Sequence, residues 1–171
     1  MSDITADVDE VDQILAEWTA ARPDLNLEPL AVFSRLTRIA KHLNRLRSQS
    51  FECSGLEVWE FDVLAVLRRS GPPFRVSTKT LVQATMVSSG TMTNRIDRLV
   101  SRRLVERFTD PNDGRGVLVE MTAEGRQRVD AALAHLVDAE AKLLATLSDA
   151  ERHELAGLLR KLALAMHPGG A

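Results

Sequence analysis

The segment from Val76 to Val119 restricts the possible fold more than any other part of the chain. Ser77-Thr-Lys-Thr-Leu-Val-Gln-Ala predicts a short helix, Thr85-Met-Val interrupts it, and the stretch from Ser88 to Arg103 predicts a second helix after a tight turn. In that second helix Met92, Ile96, Leu99 and Val100 recur at helical spacing and form one inward stripe. Thr91, Asn94, Asp97, Arg98 and Ser101 fall on the opposite face, and Ser88 and Ser89 are N-cap candidates. A helix start with unpaired amides and short polar side chains suits a phosphate backbone and the base edges of a major groove. An ordinary amphipathic surface helix has the same pattern, so the helix alone leaves both readings open.

The residues that follow favour the first reading. Leu104-Val-Glu-Arg-Phe-Thr and Gly116-Val-Leu-Val-Glu-Met-Thr have strand composition, and Asp110-Pro-Asn-Asp-Gly-Arg between them is dense in turn formers. A β-hairpin directly after such a helix makes a wing, with Arg115 at its tip placed to enter a minor groove or grip a phosphate. Net charge is only −2, but from Arg75 to Gly116 there are eight Arg or Lys against four acids, so this segment carries +4 and the remainder −6. Charge polarised in this way is expected of a DNA-reading module in an acidic body.

Other classes find little support. The 171 residues, 44% hydrophobic and 27% charged, suffice for one domain with a sizeable core. No apolar run approaches membrane-spanning length and the acidic start Met1-Ser-Asp-Ile-Thr-Ala-Asp has no signal character, so a cytoplasmic protein without a membrane partner is expected. The single Cys53 excludes an intrachain disulfide and has no activating group nearby in sequence. His42, His135, His153 and His167 lack ligand spacing, so no metal or other cofactor is expected. There is no Gly-x-Ser-x-Gly, no phosphate-binding glycine loop and no nucleophile–base pair, which argues against an enzyme.

Helices are predicted on both sides of the central segment. Residues 7–20 carry Val8, Val11, Leu15 and Trp18 at helical spacing; the first 28 residues hold eight acids and one Arg, and docking through Trp18 is expected. Glu28 to Gln49 presents a stripe from Val32 to Leu46 and a row of Arg35, Arg38, His42 and Arg45, open to reading as a solvated face, an anion-attracting wall or a dock for the acidic first helix. Gly55 to Arg69 is so apolar that Asp62 in its middle is conspicuous. Thr122 to Leu147 and a last helix begun by the capping box Ser148-Asp-Ala-Glu151 carry leucine seams that can satisfy each other or face a second copy. The expected fold class is mainly α with a small β-hairpin. Residues 55–121 form a winged helix-turn-helix, residues 1–28 an extra N-terminal helix and linker, and residues 29–54 with 122–167 a helical region.

The ordered motifs Thr91-Met-Thr-Asn-Arg-Ile-Asp-Arg-Leu, Leu104-Val-Glu-Arg, Asp110-Pro-Asn-Asp-Gly-Arg115 and Met121-Thr-Ala-Glu-Gly125 resemble the winged helix-turn-helix of the multiple-antibiotic-resistance regulator (MarR) family. The resemblance extends over roughly residues 30–166; Gly114 stands where many members carry a second wing Arg, which implies a weaker minor-groove grip. It implies a homodimer built by the N- and C-terminal helices, a pseudo-palindromic double-stranded DNA operator, and DNA contacts from Ser88, Ser89, Thr91, Thr93, Asn94, Arg98 and Arg115.

Within that family the chain is similar to the urate-responsive branch, marked by an N-terminal helix with a Trp, an Asp in Trp-Glu-Phe-Asp and two Arg. Residue by residue these are Trp18, Asp62, Arg95 and Arg107, implying a small anionic effector held by guanidinium forks and an indole. Arg95 falls about 85° from the centre of the apolar stripe, a flank position from which it can face Asp62. The alternative is an Asp62–Arg95 salt bridge that only joins two helices, with Trp18 an anchor. The function implied is a dimeric, ligand-responsive DNA-binding transcriptional regulator, a repressor released by the anion. A winged-helix protein–protein interaction module without DNA binding is the alternative, and it needs an exposed apolar face where Thr91, Asn94 and Arg98 stand.

Overall fold

The computed structural model describes residues 8–111 and 116–166. Its elements in chain order are α1 (Glu10–Ala21), α2 (Glu28–Glu52), α3 (Val58–Arg69), β1 (Arg75–Ser77), α4 (Thr78–Thr85), α5 (Ser89–Ser101), β2 (Val105–Thr109), β3 (Val117–Met121), α6 (Ala123–Leu144) and α7 (Asp149–Met166). The chain divides into two compact units at residues 47 and 48, inside α2. None of the helices among the described residues is long and apolar enough to cross a membrane.

In the first unit the basic row of α2 docks the acidic helix. Asp9 caps α1 by accepting from the amides of Val11 (2.8 Å) and Asp12 (3.1 Å). Arg35 Nε donates to Asp9 (2.8 Å), Arg35 Nη2 donates to Asp12 (2.7 Å), and Arg38 Nε donates to Glu10 (3.0 Å). These guanidinium bonds hold the Asp9 and Glu10 carboxyls below the ordinary carboxylate range. The pairs are solvent-exposed and individually weak, so they orient α1 more than they stabilise it. The expected anchor Trp18 is half exposed, whereas Val11 is buried, because the contacts gather at the first turn of α1 and Trp18 lies about two turns beyond.

The second unit contains a three-stranded antiparallel sheet in the order β1-β3-β2, with Val119 opposite both Val76 and Arg107. The hairpin of β2 and β3 was expected and β1 was not, since three residues after Gly71-Pro-Pro give no alternation to read. Asp110 N–H donates to the Gly116 carbonyl (2.9 Å) and closes the hairpin below its tip. Leu64, Leu67, Leu81, Met92, Ile96, Leu99 and Leu104 form the fully buried core between α3, α4, α5 and the start of β2. At its edge the rings of Phe51 and Phe61 stack at 3.9 Å. Phe51 belongs to the last turn of α2, which runs to Glu52 rather than Gln49; Gly55 at φ +65 then turns the chain, so α3 starts at Val58 rather than Gly55.

The helix pair at the C-terminal end leaves much apolar surface uncovered within the chain. On α6 Leu133 and Val137 are exposed, α7 buries no side chain, and Leu155, Leu158, Leu159 and Leu162 are each at least 40% exposed. Helix α6 ends at Leu144, one turn before the expected Leu147.

The start of α6 is locked to the winged-helix core. Thr122 caps it by accepting from the Gly125 amide (3.0 Å), while its hydroxyl donates to the Arg103 carbonyl (2.8 Å). This brings the first turn of α6 so close to the backbone that a Cβ on Gly125 would lie 2.2 Å from the Leu104 carbonyl oxygen and 3.0 Å from Met121 Cγ. A backbone oxygen cannot swing aside as a side chain can. Gly125→Ala is therefore expected to destabilise the protein by about 3 kcal/mol, the upper range for overpacking, with a lowered melting temperature in thermal denaturation. An unchanged melting temperature would show that this junction yields.

Candidate nucleic-acid interface

Helix α5 is built to present one face. Ser88 has extended backbone angles and its hydroxyl accepts from the Thr91 amide (3.2 Å), so the helix starts where the two serines predicted. Met92, Ile96 and Leu99 are buried beneath it, while Val100, expected on the same stripe, is 37% exposed. Ser88, Ser89, Thr91, Thr93, Asn94 and Arg98 are all exposed. The set itself is polar throughout, with the Trp59 ring of α3 beside Arg98. Arg115, expected at the wing tip, lies outside the described residues.

Two ion pairs fix α5, one from behind and one from the side. Glu60 on α3 is fully buried; its Oε2 accepts from Arg102, the C-cap of α5, and from the Glu57 amide (2.9 Å). Arg102 also donates to the Gly55 carbonyl at 2.6 Å. The other carboxylate oxygen, Oε1, is buried without a hydrogen-bond partner. The second pair joins β2 to α5: Arg107 contacts Asp97 at 2.7 Å and donates to the Thr93 carbonyl at 3.4 Å. Asp62, the acid expected to be conspicuous, is half-buried, and the acid in the core is Glu60, two residues earlier on the side facing α5.

Of the four expected ligand residues, Asp62, Arg95 and Arg107 belong to the second unit, where Arg95 and Arg107 line two separate depressions. Arg95 is half-buried with its guanidinium 5.6 Å from the Trp59 ring, and among the described residues it forms no ion pair with Asp62. Its flank position on α5 faces the first turn of α3, where Trp59 lies, rather than the middle, where Asp62 lies. Arg95 lines a depression of about 310 Å³ together with Trp59, Thr91, Asn94 and Arg98. Arg107 lines another, of about 560 Å³, with Ser77, Lys79, Thr93, Asp110 and Val117. Trp18 stands on α1 in the first unit with half its surface exposed.

Two residues beside the α5 face, Glu57 and Trp59, come from the predicted helix Gly55 to Arg69, expected to be largely buried. Trp59 Nε1 donates to Glu57 Oε2 (2.6 Å), Arg98 Nη2 donates to Glu57 Oε1 (2.6 Å), and the Arg98 guanidinium stacks 4.7 Å from the indole. The Trp59 N–H first, and then the charge of Arg98 against an opposing desolvation, hold the Glu57 carboxyl below its ordinary range. A helical wheel carried the signal: Trp59 is one position, about 100°, from the stripe of Glu60, Leu64 and Leu67 and so falls on the flank of α3.

A helix-turn-helix followed by a wing, with an exposed polar face on its second helix, is the arrangement of a DNA-binding regulator. Residues 54–116 match the model of the MarR family. The chain is 33% identical to the HTH-type transcriptional regulator PecS of Dickeya dadantii, over 90% of this chain and 92% of PecS. A mutant MarR from E. coli complexed with operator DNA superposes with a TM-score of 0.67 at 28% identity, over 81% of this chain and 98% of that one. BpsR of Bordetella bronchiseptica, whose DNA binding is regulated by 6-hydroxynicotinic acid, superposes with a TM-score of 0.64 at 31% identity, over 77% of this chain and 92% of BpsR. The chain belongs to the MarR family, and the relatives it matches are transcriptional regulators, not enzymes.

Removal of Arg102 isolates the Glu60 carboxylate in the core. Arg102→Ala is expected to cost on the order of 2–4 kcal/mol, somewhat less than a fully enclosed pair because Arg102 is partly exposed. Urea denaturation checks this, and a stability equal to wild type would mean that Glu60 is solvated in solution.

Proposed function

We propose that this chain is a homodimeric transcriptional repressor that reads a pseudo-palindromic operator through one α5 per protomer and leaves it when a small anionic effector binds. The observation that carries the reading is the exposed polar face of α5. Ser88 and Ser89 sit at a helix N-terminus suited to phosphate, Thr91, Thr93 and Asn94 offer donors and acceptors to base edges, and Arg98 and Arg115 supply charge. The exposed leucines of α6 and α7 support a dimer, because a second copy would cover surface that this chain leaves in water. Such a protein acts in the cytoplasm, where the chromosome is.

Binding to duplex DNA is expected to weaken steeply with salt, log K falling against log salt with a slope of about −0.9 per phosphate contact. Arg115→Ala is expected to weaken binding to all sequences alike, whereas Asn94→Ala shifts base preference. Fluorescence anisotropy on a panel of duplexes, with sedimentation to establish a dimer, checks both. Affinity indifferent to salt, or tight binding by a monomer, contradicts the proposal.

For the effector we assign Trp18, Asp62, Arg95 and Arg107, with the arginines as anion forks. Arg107 connects β2 to α5 through Asp97, so an anion that takes its guanidinium withdraws a strut from the reading helix. The regulation of BpsR by 6-hydroxynicotinic acid, an aromatic carboxylate, supports an effector of this chemical class. Effector and DNA then oppose each other reciprocally, with a coupling of about 1–3 kcal/mol. The test screens aromatic and polycarboxylate anions by thermal shift, then titrates the best against a preformed DNA complex of wild type, Trp18→Ala, Arg95→Ala and Arg107→Ala. Weaker release from the variants is expected; equal release from all four locates the effector elsewhere.

A further inference from the structure

The face of α5 offers one arginine that is already engaged. In the DNA-free structure Arg98 lies between the Glu57 carboxylate (2.6 Å) and the Trp59 indole (4.7 Å), beside Thr91 and Asn94 on the same depression. Both oxygens of Glu57 are used, one by Arg98 and the other by Trp59 Nε1. Glu57 precedes the first turn of α3, and Arg102 holds the helix start through Glu60 and the Gly55 carbonyl, so the carboxylate is presented from a fixed support. Glu57 and Arg98 are each more than half exposed, so their ion pair is weak and open to exchange. A carboxylate is also the side chain that most resembles a phosphate oxygen pair or a guanine edge in what it accepts from a guanidinium.

We propose that Glu57 is an internal competitor for Arg98: its carboxylate holds, in the free protein, the guanidinium fork that DNA takes in the complex, and so sets the affinity and salt response of DNA binding. The inference rests on α5 as the DNA-reading helix. It has a specific electrostatic consequence. When Arg98 moves to a phosphate the DNA releases a cation, but the Glu57–Arg98 attraction given up is itself strongest at low salt, so it offsets part of the salt dependence that the Arg98 contact adds in the wild type. Without the carboxylate at position 57 that offset is gone and the slope steepens, by at most about 0.9 for each protomer. Trp59 reports the exchange, because its ring loses the nearer of the two guanidiniums against it, Arg98 at 4.7 Å, and keeps Arg95 at 5.6 Å.

The experiment uses the full chain with Glu57→Gln, Arg98→Ala and the double substitution. Glutamine keeps an oxygen for the Trp59 N–H and turns a neutral NH2 towards Arg98 in place of the charged oxygen. Anisotropy is measured on a labelled 24-base-pair duplex that the wild type selects from a random pool, and on a mixed-sequence duplex of equal length, across a salt series. Trp59 emission is followed in a Trp18→Phe background. The expected result is that Glu57→Gln tightens both complexes by about fivefold at low salt, the scale of an exposed ion pair, and steepens the slope. With Arg98→Ala present, Glu57→Gln changes neither, and the emission change on DNA binding disappears. Glu57→Gln that leaves affinity unchanged or weakens it, while Arg98→Ala weakens it, overturns the competitor alone. Equal tightening with and without Arg98 also overturns it, since removal of any nearby negative charge would then suffice. Arg98→Ala that binds like wild type refutes the assigned α5 face and the competitor together.

Discussion

The placement of α5 depends on a carboxylate with no access to water. Glu60 is buried on α3 and reaches across to Arg102 at the far end of α5, which in turn holds the Gly55 carbonyl ahead of α3. Burial of a charge costs several kcal/mol, and a well-packed apolar pair at the same place would stabilise as much or more. An ion pair adds direction: apolar surfaces slide past each other at little cost, whereas a guanidinium and a carboxylate tolerate one arrangement. With Arg102 at its end and Arg107 holding Asp97 from the side, the helix has its rear and flank fixed and its polar face left to solvent.

The arginines show how one residue type takes several roles that sequence does not distinguish. Arg102 faces a buried carboxylate, Arg107 is a strut between strand and helix, Arg75 pairs with Glu120, and Arg98 lies between Glu57 and an indole. The charge surplus read from residues 75–116 counted all of them as positive surface. Glu57, Glu60 and Glu120, which neutralise three of them, lie outside that window and come to it only through the fold. Among the described residues Lys79, Arg95 and Arg103 in that window form no ion pair, so its positive potential is more local than the count suggests.

Elements with strong local signals were legible in the sequence. Helix α5 announced itself through its apolar period and serine cap, and the hairpin through alternation around a turn-rich loop. Contacts between elements were less so. The three residues of β1 become a strand only because β3 offers a free edge, and Glu60 becomes the core acid only because α5 covers that side of α3. The Asp62–Arg95 pairing failed for a related reason, since the turn of α3 that Arg95 meets depends on where α3 begins. Gly55, with its left-handed backbone, shifts that start to Val58 and puts Trp59 within its reach. For α1 the dock on the basic row of α2 was one of three readings left open by the charges, and Trp18 drew attention by size from Val11, the residue the fold encloses.

Helix α7 has 18 residues and not one buried side chain. An isolated helix of that length is marginal in water, so its order must come from whatever covers its leucines. When the cover is another molecule, the free energy holding the helix grows with the logarithm of that molecule's concentration. In the proposed dimer α7 is then a gauge of abundance: at low concentration this helix is the first to lose its cover, and at high concentration it is held.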